Sequence, residues 1–240
     1  CSYAREGITM NYALVTGAGS GLGYELTRKH AENGWTVLAM EIKVSDVLKE
    51  LQAKYPELIH IIPCDIGSTS SVEAAMAEAR KVTGRLDRVF NNAGIHRFED
   101  WVTLDKTDLD FCQVMFNINA VGPLRIVKAA LDMIGEGTVI INTSSEGGSI
   151  TDQTGEINYA YSMSKAAMNM GARIMDNWLS KRGVRTIMIH PGRMRTAMRG
   201  AHSNIDPWET ADGLWDILEH IEDVPLEKKF FDYKGVPYNW

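Results

Sequence analysis
The chain has 240 residues, a formal net charge of −6, and 45% hydrophobic against 23% charged residues, the make-up of one large globular domain. The acidic balance argues against nucleic acid or an anionic membrane as partner, and no apolar run approaches the roughly 20 residues of a membrane-spanning helix. Cys1, Cys64 and Cys112 are scattered and fit neither a disulfide framework nor a metal-ligand spacing, so no metal is expected and a reducing, cytoplasmic setting is.

Residues 1–9 lack the apolar core of a signal peptide and read as an N-terminal extension or tag remnant, ahead of a single domain over 10–240. Short β-rich runs then alternate with longer helical patterns. The runs are "YALVT" (12–16), "WTVLAM" (35–40), "LIHIIP" (58–63), "LDRVF" (86–90), "GTVIINTS" (137–144), "VRTIMI" (184–189) and "KKFFD" (228–232). Most are continuously apolar, as in strands covered on both faces. Helical patterns lie over 21–33, 44–55, 68–84, 105–134 and 158–183. In the third, Ser68 and Thr69 are candidate caps, and Val72, Ala75, Met76 and Ala79 form one apolar face. Gly34, Gly84 and Gly183 each stand where a left-handed helix cap belongs. The alternation predicts an α/β fold: a doubly wound, mostly parallel seven-stranded sheet of the Rossmann type, with helices on both faces. Ligands in such folds bind at the carboxyl ends of the strands.

The first strand-to-helix turn reads "TGAGSGLG". It does not match G-x-G-x-x-G, because Leu22 stands where the third glycine would be. It does match T-G-x-x-x-G-x-G, with Gly17, Gly21 and Gly23. One glycine permits a tight turn, one lets backbone approach a pyrophosphate, and one lets helix pack on strand. The helix N–H groups and dipole then face phosphate. Glu41 ends the second run, 24 residues after Gly17. A carboxylate there accepts from both ribose hydroxyls and repels a 2′-phosphate, which favours NAD over NADP. Lys43 weakens that reading, and Ser20 supplies no cation for the phosphate.

Further motifs follow in register: "CDI" (64–66), "NNAG" (91–94), "NTSSEGG" (142–148), "YSMSK" (161–165) and "HPG" (190–192). With the glycine loop they resemble the short-chain dehydrogenase/reductase family across nearly the whole chain. "YSMSKAAMNM" and the ending "FFDYKGVPYNW" resemble, more narrowly, the branch containing C-factor and sniffer-type carbonyl reductases. The resemblance implies a catalytic set of Asn119, Ser145, Tyr161 and Lys165. It implies cofactor contacts at Gly17, Ser20, Gly21, Leu22, Gly23 and Glu41, with Asp65 and Ile66 at the adenine. Asn92, Ala93 and Gly94 would line the adenosine side, and Pro191, Gly192, Met194 and Thr196 the nicotinamide. Ser145 precedes Tyr161 by 16 residues, more than the family interval, so "GSITDQTGEIN" is expected to be a longer loop at the cleft.

An unperturbed phenol, with a pKa near 10, is a poor base at neutral pH; a nearby ammonium favours its ionised form. Residues four apart on a helix share a face, so Tyr161 and Lys165 can enter one cleft. Ser145 would donate to the substrate oxygen. By family analogy Asn119 holds a relay water; it also reads as a helix-kink residue. His96 and His190 carry no catalytic assignment. The segment "GRMRTAMRGAHSN" reads as a short flap over the cofactor, whose Arg193, Arg195 and Arg199 either meet an anion or face solvent. The family pairs the 106–134 and 157–182 helices between subunits, which implies a homodimer or homotetramer. The expected function is hydride transfer between NAD(P) and a carbonyl or secondary-alcohol substrate. The alternative is a dinucleotide-binding signalling or regulatory protein of C-factor type, whose output is not turnover.

Overall fold
The computed structural model describes residues 10–195 and 203–240. Seven strands form one sheet: β1 (Tyr12–Thr16), β2 (Thr36–Glu41), β3 (Ile59–Pro63), β4 (Arg88–Asn91), β5 (Val139–Thr143), β6 (Arg185–His190) and β7 (Phe230–Asp232). Their order is β3-β2-β1-β4-β5-β6-β7, and every ladder between neighbours is parallel. The strand order reverses between β1 and β4, so the switch point lies at their carboxyl ends.

The helices are α1 (Gly21–Glu32), α2 (Asp46–Lys54), α3 (Thr69–Val82), α4 (Leu109–Phe116), α5 (Gly122–Ala129), α6 (Tyr159–Leu179) and α7 (Pro207–Glu219). Side chains alternate across the strands and divide the core in two. Leu14, Leu38, Ile140 and Met188 pack with Val72, Met76, Ile126 and Met175 from α3, α5 and α6. Ala13, Val15, Val37 and Ile187 pack with Leu26, Leu48 and Leu214 from α1, α2 and α7. The apolar face read on α3 is buried as expected, and Ser68 Oγ accepts from the Ser71 N–H at 3.4 Å.

Three local features depart from the sequence reading. The single helical pattern over 105–134 is interrupted by a π turn, Asn117–Val121. Helix α7 was absent from the sequence reading; its signals are Pro207 in the first turn and a reciprocal capping box between Asp206 and Glu209. Gly34 and Gly183 take the left-handed conformation, with φ of 78° and 72°, but Gly84 does not. There the chain leaves α3 extended at Thr83, whose hydroxyl accepts from the Arg85 N–H at 3.1 Å.

At the amino ends of the strands, Arg88 lies over Trp35 at 4.2 Å and Trp215 at 5.0 Å, and it reaches Glu219 at 2.7 Å. His30, fully buried beside it, meets the Leu26 carbonyl through Nδ1 and Arg88 through Nε2. Arginine only donates, so Nε2 accepts and the ring is neutral. Burial, then the Arg88 charge, push its pKa down to about 3.

Candidate active site
The glycine cradle is built at the carboxyl end of β1. Gly17 and Gly21 have φ of 67° and 52°, which a side chain rarely adopts. A Cβ on Gly23 would collide with the Gly17 carbonyl, so α1 packs directly on the turn. Ser20 is the N-cap residue, but its side chain does not cap the helix. Leu22 turns into the core. Gly19, which the motif leaves free, is also constrained: a Cβ there would meet Glu41 Oε2 at 2.7 Å. That carboxylate accepts from the N–H groups of Gly19 at 2.7 Å and Ile42 at 2.9 Å. Glu41 thus sits at the rim of the cradle.

Thr16 joins the cradle to the neighbouring strand. Its Oγ1 donates to the Phe90 carbonyl and accepts from Asn92 and Ala93 at 3.0 and 3.1 Å. Asn92 Nδ2 returns to the Thr16 carbonyl at 3.0 Å. Asp65 accepts from the Gly67 N–H at 2.8 Å, and Ile66 packs so closely that a Cβ on Gly122 would lie 2.8 Å from its Cδ1.

The four expected catalytic residues converge. Ser145 and Tyr161 line one cleft of about 370 Å³. Lys165, one turn after Tyr161, is buried, donates to the Thr143 carbonyl at 2.7 Å, and lies 5.5 Å from the Tyr161 ring centroid. Burial pulls its pKa down to about 8, because a desolvated ammonium is disfavoured. Ser145 Oγ accepts from the Gly147 N–H at 3.1 Å. Asn119 Oδ1 and Lys165 Nζ would lie 3.1 and 3.7 Å from a Cβ on Gly94, so the end of "NNAG" reaches Lys165.

Asn119 lies in the π turn. Its amide bonds to both the N–H and the carbonyl of Ile95, at 2.8 and 2.9 Å. It also donates to Ser164 Oγ at 3.0 Å, and Ser164 donates to the Tyr161 carbonyl at 2.7 Å. Its two Nδ2 hydrogens therefore fasten the turn to Ile95 after β4 and to Ser164 of α6. Its place in the π turn fits the helix-kink reading.

The sequence reading did not single out Thr16, Thr143 or Ser164 for the site. Threonine and serine at strand ends and in helices are too common to signal a role by themselves. Nor did it single out Trp101, whose Nε1–H donates to His96 Nε2 at 2.6 Å. The His96 ring lies 4.4 Å from that of Tyr161, and Asn158 meets the same histidine nitrogen at 3.1 Å. Asn158, with φ of 71°, turns the chain into α6. Between Ser145 and Tyr161 the chain makes one 3-10 turn, Glu146–Gly148, and then an irregular loop, as the long spacing implied.

Pro191 accepts from Thr210 Oγ1 at 2.8 Å, and Gly192 has φ of 81°. Met194 bridges to Ile205, and the Arg195 N–H donates to the Ile205 carbonyl at 2.8 Å. Arg193 pairs with Glu146 at 3.0 Å and Arg195 with Asp206 at 3.3 Å. Thr196, Arg199 and the middle of the expected flap lie outside the described residues. Among the described residues there is no cluster of three or more potential metal ligands, and no helix is long and apolar enough to cross a membrane.

Residues 11–206 match the family described as short chain dehydrogenase. The chain is 32% identical to 1-hydroxy-2-glutathionyl-2-methyl-3-butene dehydrogenase of Rhodococcus sp. (strain AD45), over 88% of this chain and 92% of that protein. It is 33% identical to C-signal of Myxococcus xanthus, over 66% of this chain and 95% of that protein. Among solved structures, NADPH-bound carbonyl reductase from chicken fatty liver aligns with a TM-score of 0.86 and 26% identity, covering 97% of this chain and 100% of that one. The carbonyl reductase Sniffer of D. melanogaster aligns with a TM-score of 0.85 and 25% identity, covering 96% and 100%. On its matched length, its strand order and its relatives, this chain belongs to the short-chain dehydrogenase/reductase family of oxidoreductases.

Proposed function
We propose that the chain moves a hydride between a nicotinamide dinucleotide and a small carbonyl or secondary-alcohol substrate. The observation that carries this reading is the placing of Ser145 and Tyr161 on one cleft, with the buried Lys165 behind the phenol ring. When bound, the nicotinamide supplies or accepts the hydride. Tyr161 exchanges the proton with the substrate oxygen as charge develops there. Ser145 donates a hydrogen bond to the same oxygen. Lys165 places positive charge beside the phenol and favours its ionised form. Asn119 holds the π turn, and with it Gly94, against α6 near the lysine.

The cradle suits a dinucleotide: Gly17 and Gly23 let β1, α1 and the Asn92–Ala93 segment pack closely around the turn, and the α1 N-terminus favours phosphate. Gly17, Ser20, Gly21, Leu22 and Gly23 would hold the pyrophosphate end, and Asp65, Ile66, Asn92 and Ala93 the adenosine end. Pro191, Gly192, Met194 and Thr196 would border the nicotinamide. We assign NAD rather than NADP. Glu41 retains lone pairs for the ribose hydroxyls and would repel a dianionic 2′-phosphate, although the chicken relative is NADPH-bound. A wild-type kcat/KM higher with NADPH than with NADH overturns that assignment. We also assign the chain to the cytoplasm and to a homodimer or homotetramer. Met163, Met170, Ile174 and Trp178 are exposed along α6, and Leu109, Val114, Phe116 and Leu124 along α4 and α5. A light-scattering mass of one 26.7 kDa chain would contradict the assembly.

A second reading, a dinucleotide-bound signal, draws on the likeness to C-signal. A pure binder has no need of a lysine buried beside a phenol, which favours turnover. The deciding experiment follows reduced-cofactor oxidation with a panel of aldehydes and ketones, comparing Tyr161→Phe. The enzyme reading expects wild-type turnover and about a 10²–10⁴-fold loss in the variant, with cofactor affinity retained. Cofactor binding by both proteins with no turnover in either supports the signal.

A further inference from the structure
The ending "FFDYKGVPYNW" has a structural role that the hydride reading leaves unused. After β7 the chain reverses at Gly235, with φ of 80°. The turn is closed by Asp232 Oδ1, which accepts from the N–H groups of Lys234 and Val236 at 2.8 and 2.9 Å. The tail then runs back along the edge strand: Pro237 bridges to Phe231, and the Tyr238 N–H donates to the Phe230 carbonyl at 2.9 Å.

From there it fastens the long loop between Ser145 and Tyr161. The Trp240 carbonyl accepts from the Thr151 N–H at 2.8 Å and from Ser149 Oγ at 3.3 Å. Asn239 Nδ2 donates to Asp152 Oδ1 at 3.0 Å. The Asp152 N–H donates to Ser149 Oγ at 3.1 Å, so the loop is folded on itself where the tail meets it. The Tyr238 ring stands edge-on to His190 at 5.2 Å. His190 Nδ1 accepts from the Glu146 N–H at 3.1 Å, next in sequence to Ser145. Tyr238 itself lines the cleft that holds Ser145, Tyr161 and Trp101. Its burial, with Glu146 next, raises its pKa, so its hydroxyl is a proton-bearing donor at neutral pH. The tail itself lies beyond residue 206, where the family match ends, and the loop and histidine that it meets lie within the match.

We infer that Tyr238 and the clasp around it, made by Asn239 and Trp240 on residues 149–152, determine which carbonyl compounds enter the cleft, admitting compact ones that pack against the Tyr238 ring. This rests on the hydride-transfer reading of the same cleft. The clasp holds the loop in place, and the ring limits the depth available to a substrate body.

The test compares kcat/KM for propanal and for benzil in the wild type, Tyr238→Ala and Asn239→Asp. The second variant sets a carboxylate against Asp152 from an exposed position and leaves the core intact, so it decides the matter if the first does not fold. The expected result is at least a tenfold shift of the ratio towards benzil in either folded variant, with the cofactor KM within twofold of wild type. A ratio within twofold of wild type in folded variants overturns the inference. Backbone hydrogen exchange with acetophenone as the probe separates it from the hydride reading. Protection of residues 149–155 in the wild type but not in Tyr238→Ala sustains the specificity role even if no carbonyl turns over. Absence of protection in the wild type overturns it.

Discussion

Lys165 is packed into the core and, in the proposed reaction, also sets the charge beside the phenol. Its ammonium is buried, bonded to the Thr143 carbonyl and held near the Tyr161 ring, and burial lowers its pKa to about 8. Below that pH the lysine is charged and favours loss of the phenol proton to a substrate oxygen; above it the charge is lost. Carbonyl reduction should therefore fall as pH rises through about 8, while Lys165→Met should lose kcat by about 10²–10⁴-fold and move the inflection towards the phenol range near 10. A kcat/KM profile from pH 6 to 10 checks this; an inflection that the variant leaves in place would count against the lysine. Tyr161, Lys165 and Ser145 were legible through the family motifs "YSMSK" and "NTSSEGG", with which helical spacing and strand-end position agree. Ser164 and Thr143 were not, because their parts are a hydrogen bond to Asn119 and a backbone carbonyl. Neither leaves a residue-type signature.

Between residues, the π turn couples two regions that sequence places far apart. Arg125 Nε donates to Thr69 Oγ1 at 3.1 Å, Nη1 donates to the Ile66 and Asn117 carbonyls at 3.1 Å, and Nη2 donates to Asn117 Oδ1 at 2.6 Å. Asn117 Nδ2 in turn donates to the Gly67 carbonyl at 3.0 Å. The loop assigned to adenine is thereby bolted to the turn that carries Asn119. Arg125→Met removes all four of these hydrogen bonds and should raise the KM for the dinucleotide about tenfold, a net effect on the order of one hydrogen bond to a charged group, while the carbonyl KM stays within twofold. Steady-state kinetics with each substrate varied in turn gives the split; an unchanged dinucleotide KM would remove Arg125 from this role. The turn was not legible as such because 105–134 keeps helical periodicity, and one extra residue per turn does not erase an apolar pattern. Helix α7 carries a capping box and Pro207 in its sequence, but Gly213 and the carboxylates Glu209, Asp212 and Asp216 break up its apolar pattern. The strands were found within one or two residues of their ends because their burial on both faces leaves continuous apolar runs.

At the scale of the whole molecule, the sheet is closed off at one end by Arg88, Trp35, Trp215 and His30 and carries the candidate site at the other. His30 is held neutral there, with a folded pKa of about 3 against an ordinary 6.5. Between those values the unfolded chain binds a proton that the folded chain refuses, so the neutral ring stabilises the fold fully above pH 6.5 and that stability drains away towards pH 3. The loss is on the order of 4 kcal/mol over that window. Urea unfolding at pH 7 and pH 4 should show it, and His30→Gln, less stable at pH 7, should flatten the dependence; an equal slope in both proteins would assign the acid sensitivity elsewhere. Fold class was the most legible feature of all, since strand–helix alternation and five motifs in register constrain it together. The central claim is hydride transfer, and the most direct measurement uses reduced cofactor deuterated at the transferable position of nicotinamide C4, with mass spectrometry of the alcohol formed. The wild type should place one deuterium on the former carbonyl carbon and Tyr161→Phe should give almost no labelled product; an alcohol formed without label, or equal labelling by both proteins, would contradict hydride transfer at this site.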